Sequence, residues 1–105
     1  MYGKLAVDLL AEDNVSCEHL INYPGKSGFG LVIVSKEENS RTCIFHRMPS
    51  TLMPEELNLQ IISTADLLFL DSRYPEAAIA AAKYATDHSV PIYLDLERKR
   101  YLILL

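Results

Sequence analysis

The stretch LLFLDSRYPEAAIAAAKYATDHSVPIYLD, residues 67–95, decides the fold class. Leu67-Leu68-Phe69-Leu70 is a short, continuous apolar run that stops at Asp71, the pattern of a strand buried on both faces. Pro75 to Asp87 follows as an alanine-rich helix, with Ala78, Ala81, Ala82 and Ala85 small enough for close packing. Pro91-Ile92-Tyr93-Leu94 is a second buried strand, and it too stops at an acid, Asp95. Strand, helix and strand at this spacing predict a βαβ unit with parallel strands. Two strands are too few for an independent doubly wound sheet, so this sheet needs further strands beside it.

Upstream the rhythm changes. Ser50-Thr51-Leu52-Met53-Pro54-Glu55-Glu56-Leu57 reads as the start of a helix, with a hydroxyl cap, an early proline and acids in the first turn. Phe29 to Val34 and Thr42 to Phe45 are rich in β-branched and aromatic residues, and five polar residues, Lys36 to Ser40, separate them. A β-hairpin is the simplest reading. Pro24-Gly25-Lys26-Ser27-Gly28 is a turn before it. At the other end of the segment, Leu5, Leu9 and Leu10 fall on helical spacing over about Lys4 to Glu12, ending near Asp13-Asn14.

The bulk numbers fit a single domain or part of one. The 105 residues are 50% apolar and 23% charged, ordinary for a globular chain. A formal charge of −4 argues against a nucleic-acid partner, which requires a basic face. No stretch approaches the roughly 20 apolar residues of a membrane span, so no membrane partner is expected. Cys17 and Cys43 stand in no metal-ligand spacing and are expected to act as small apolar residues. With no leader segment in view, they suggest the cytoplasm, or an organellar lumen kept reducing. Tyr101 to Leu105 is an apolar ending that either packs on the core or marks a cut in a longer protein.

Parallel sheets bind ligands outside the carboxyl ends of their strands. The candidates there are Asp71 and Asp95, with Arg73 and Glu97 two positions beyond each. A carboxylate so placed can bind sugar hydroxyls, hold Mg²⁺ or act as a general base. It can equally cap the following turn. Gly25, Gly28 and Gly30 precede a strand rather than a helix, so no helical amides stand behind them to cradle a phosphate. His19, His46 and His88 form no metal-ligating pattern, so no metal site is expected. His46 and Arg41 close and open the same predicted strand. Each can face a ligand or simply be an exposed strand residue.

Taken in order, the segments resemble the middle of the ribokinase-like, or PfkB-type, carbohydrate kinases. Leu9 to Ser16 resembles the family's helix and the link that follows it. Lys26-Ser27-Gly28-Phe29-Gly30-Leu31-Val32-Ile33-Val34 is similar to its T-G-x-S-x-V-x-V strand, and Ser40-Arg41-Thr42-Cys43-Ile44 to its G-x-R-T strand. Pro54 to Leu57 resembles the next helix, and Ala65-Asp66-Leu67-Leu68-Phe69-Leu70-Asp71 the A-D-x-x-h-x-D strand, where h is apolar. Val90-Pro91-Ile92-Tyr93-Leu94-Asp95-Leu96-Glu97-Arg98 is similar to a later strand reading V-x-x-D-x-N-x-R, with Glu97 where Asn is common.

The resemblance implies a partial ribokinase-like α/β fold. Residues of about 19–47 would be lid strands, and about 54–100 a βαβ portion of the core sheet. It implies ATP and Mg²⁺ as cofactors and a sugar or sugar-like alcohol as acceptor, with Arg41 near the nucleotide phosphates. Asp71, Arg73, Asp95 and Glu97 would face the substrate cleft. The G-A-G-D-type segment that supplies the catalytic Asp and the anion hole has no counterpart in residues 1–105. Neither does the early glycine-rich sugar-binding segment. The expectation is therefore a fragment without activity of its own, since positioning and charge stabilisation carry phosphoryl transfer. The alternatives are a non-catalytic module that pairs through exposed strand edges, with itself or a partner, and a self-contained small α/β binding domain.

Overall fold

The computed structural model describes residues 2–48, 50–71 and 73–96. The chain divides into two compact units, Met1–Ser50 and Thr51–Leu105.

In the first unit a helix, α1 (Tyr2–Glu12), precedes two strands, β1 (Phe29–Ser35) and β2 (Ser40–His46). The helix stops in a Schellman arrangement. The Val15 N–H donates to the Leu10 carbonyl at 2.9 Å and the Asn14 N–H to that of Ala11 at 3.0 Å. Asn14 takes the left-handed φ of 60° between them, a conformation Asn tolerates better than most residues. The strands pair antiparallel from Phe29↔His46 to Ser35↔Ser40. The connecting loop is therefore Lys36 to Asn39, one residue shorter than the polar run, because Ser40 is held in the ladder. Asn39 closes that loop at φ 50°. Gly30 lies opposite Phe45, and a Cβ at Gly30 would come within 3.0 Å of that ring. The missing side chain is what lets Phe45 lie across the strand.

No side chain of α1, β1 or β2 is buried. Leu31 and Ile33 project from one face of the hairpin, Val32 and Val34 from the other, by the two-residue period of a strand. All four are more than half exposed.

The second unit begins with a 3₁₀ turn, Pro54–Glu56, followed by α2 (Leu59–Ser63), β3 (Leu68–Asp71), α3 (Pro75–Asp87) and β4 (Ile92–Asp95). The helix expected at Pro54 is only this turn, and Ser50 and Thr51 do not cap it. The cap is Met53, whose N–H donates to the Glu56 carboxylate at 2.8 Å. Leu57 then goes extended, and the helix restarts at Leu59.

Strands β3 and β4 are parallel, in register Leu68↔Ile92 to Asp71↔Asp95. On one face Leu68, Leu70 and Ile92 pack with Ile62, Ala81, Ala85 and Val90. Five alanines of α3 are buried, Ala85 completely. The opposite face is open, which corrects the expectation of strands buried on both sides. Phe69 and Tyr93 are about 60% exposed there, and their rings stack at 5.5 Å. The physical reason is a single covering layer: helix α3 covers one side, and no described residue of this unit covers the other. Among the described residues no helix is long and apolar enough to cross a membrane.

Helix α3 also ends in a Schellman arrangement, with Val90 N–H to Ala85 carbonyl at 2.8 Å and Ser89 N–H to Thr86 carbonyl at 3.2 Å. Here Ser89 holds the left-handed φ of 57°. Serine has no advantage there, whereas glycine adopts this conformation without a Cβ clash. Ser89→Gly is expected to raise the unfolding free energy by about 0.5–1 kcal/mol, read as a higher urea midpoint with unchanged slope. Ala85→Leu is expected to lower it by about 1–3 kcal/mol through overpacking, checked in the same titration.

Candidate functional site

The parallel register brings the two predicted strand-end acids side by side, Asp71 against Asp95. Neighbouring strands lie about 4.8 Å apart, so two carboxylates share the carboxyl edge of this sheet. Asp71 has a local structural role as well. Its Oδ1 accepts the Arg73 backbone N–H at 3.0 Å, an Asx-type turn that steers the chain from β3 toward α3. Asp95 is half-buried and Asp71 exposed.

Asp71 also stands at an apolar pocket of about 270 Å³, bordered by Leu52, Leu57, Phe69, Tyr74 and the alanine face of α3. Sequence reasoning missed Leu52 and Tyr74 as pocket residues. The signal for Tyr74 was its place just before Pro75 at the start of a helix. Leu52 left no local trace, since only the path of residues 51–57 brings it there.

The remaining candidates are less concentrated. Arg73 is exposed, and its side chain forms no ion pair among the described residues. Glu97 lies outside the described residues. Arg41 belongs to the other unit, exposed near the hairpin tip opposite Val34. There it borders a shallow cleft of about 460 Å³ together with Lys36, Asn39 and Ser40. Two cations beside hydroxyl and amide groups suit a phosphate.

Two of the histidines rest against aromatic rings. His88 Nδ1 bonds the Tyr84 carbonyl at 2.8 Å and its ring stacks on Tyr84 at 4.0 Å, covering the end of α3. His46 rests 5.5 Å from the Phe29 ring. Both thiols are free; Cys17 is half-buried and Cys43 is exposed on β2.

The donor set does not by itself fit a bound Mg²⁺. Among the described residues no three His, Cys, Asp or Glu side chains come together, and Mg²⁺ demands an octahedral oxygen shell. Two adjacent carboxylates can nonetheless accept hydrogen bonds from neighbouring hydroxyls of a polyol, and the apolar pocket beside Asp71 can receive a carbon face.

Scanned against models of known protein families and compared with curated proteins and solved structures, the chain matches none of them.

Asp71 and Asp95 side by side are like charges across a ladder, which is destabilising. Asp95→Asn is expected to raise the unfolding free energy by about 0.5 kcal/mol at low ionic strength. The gain should shrink near 1 M NaCl, where the screening length falls to about 3 Å. A gain unaffected by salt would show that the two carboxylates do not sense each other.

Proposed function

We propose that this chain is an internal part of an ATP-dependent carbohydrate kinase of the ribokinase-like type, inactive by itself. The carrying observation is the paired Asp71 and Asp95 at the carboxyl edge of a parallel sheet, downstream of an antiparallel hairpin that bears Arg41 near its tip. A hairpin apolar on both faces suits a lid that closes over substrate and excludes water. Carboxylates at strand ends suit hydroxyls of a sugar or sugar-like alcohol, and Arg41 with Lys36 suits nucleotide phosphates. ATP and Mg²⁺ belong to the parent enzyme in this reading, since the metal shell and the catalytic Asp would come from segments outside residues 1–105. The reducing compartment expected from the cysteines fits a cytoplasmic kinase.

A second reading has its own support. The outer edges of β1 and β2 have no strand beside them among the described residues, and exposed edges are templates for pairing. In that reading the hairpin is an interaction module without catalysis.

Three measurements bear on these readings. Sequencing the reading frame on both sides of this stretch is expected to find an in-frame G-A-G-D-type segment downstream, and its absence would overturn the kinase reading. The isolated chain is expected to turn over no ATP above background with a panel of hexoses and pentoses. A monomeric mass independent of concentration, by size exclusion with light scattering, counts against the module.

A further inference from the structure

A second cleft, of about 790 Å³, opens within the first unit between the first turn of α1 and the base of the hairpin. Its volume lies within the range of small-molecule sites, about 300–1,000 Å³. The chemistry of its walls is uneven. Lys4 and Lys26 border it with His46, and no Asp or Glu does. In a chain of net charge −4, a cleft lined by two lysines and no acid stands out against an acidic background.

The two lysines differ in their surroundings. Lys4 is held by Asp8, one helical turn away, at 2.7 Å. Lys26 has no carboxylate within ion-pair distance among the described residues. It sits in the loop turned by Gly25, whose φ of 114° is a conformation that side chains other than hydrogen rarely allow.

The third wall is flat. Phe29 and His46 are cross-strand partners at the open end of the hairpin, their rings 5.5 Å apart and tilted by 31°. Tyr2 and Tyr23 also border the space. Aromatic walls favour a planar guest, through offset or edge-to-face contact. Arg41 lies at the far end of the hairpin, five ladder positions from His46, roughly 17 Å along the strand at 3.4 Å per residue.

We propose that this cleft binds an aromatic phosphate ester, its ring against Phe29 and His46 and its phosphate between Lys4 and Lys26. The proposal stands on the first unit alone and is independent of the kinase reading.

Phenyl phosphate titrated into the isotope-labelled chain tests it. Saturable amide shifts are expected at Lys26, Ser27, Phe29 and His46. Lys26→Gln should weaken binding by about tenfold, the equivalent of one charge-assisted contact, with an unchanged circular dichroism spectrum, because Lys26 is an exposed loop residue. Lys4→Gln, at an exposed helical position, supplies a second charge variant. Lys83→Gln, at an exposed position of α3 that borders neither cleft, should leave affinity unchanged. Phenol, with the ring and no charge, and inorganic phosphate, with the charge and no ring, should each bind at least about tenfold more weakly than phenyl phosphate. Absence of saturable shifts overturns the proposal. So does wild-type affinity in both the Lys26→Gln and Lys4→Gln proteins, or binding of inorganic phosphate as tight as that of phenyl phosphate, or saturable shifts confined to Lys36, Asn39 and Arg41, which would move the phosphate to the hairpin tip.

Discussion

The second unit depends on one contact: the alanine face of α3 laid against Leu68, Leu70 and Ile92 of the parallel pair. Alanine at 77, 78, 81, 82 and 85 removes the bulk that would hold a helix away from a sheet, so backbone comes close to backbone. Close approach of helix and sheet leaves little room for rearrangement, since packed interiors tolerate few voids. The buried apolar surface is nonetheless small, built from alanines, one isoleucine and one valine. Little reserve of hydrophobic stabilisation exists to absorb a mismatch.

That same contact sets the geometry of the candidate site. Once α3 holds β3 and β4 parallel and in register, both strands must end together, and the two residues at those ends are acids. Like charges directly opposite each other across a ladder oppose its pairing. Asp71 turns the chain through its bond to the Arg73 amide, and Asp95 stands opposite it in the ladder. Two carboxylates brought to one sheet edge are why the strand ends, rather than the scattered histidines, form the candidate site.

Unpartnered apolar surface is the counterpart of so small a core. The hairpin buries no side chain, and Phe69 and Tyr93 stack in the open on the far face of the parallel pair. Stacking lets the two rings shield part of each other, yet each stays about 60% exposed. Large exposed apolar patches mark interaction surfaces more often than they are incidental. Both functional readings share this consequence: a kinase core covers it with further layers, and an interaction module with a partner.

Much of the fold was legible in the residues themselves. β-Branched and aromatic content on either side of a polar run located β1 and β2, and the proline-to-aspartate alanine run located α3 to the residue, because local preference and burial agree there. Capping was less legible. Ser50 and Thr51 carry the hydroxyls, yet Met53 and Glu56 make the cap, since the path of the chain and not residue type decides which group reaches the free amide. The apolar runs at 67–70 and 91–94 determined that strands form, while only tertiary structure decided that one face would lie open, because covering depends on what stands opposite. Likewise the sequence placed an acid at each strand end. That Asp71 and Asp95 become neighbours follows from register, which no local pattern specifies and which the packing of α3 sets.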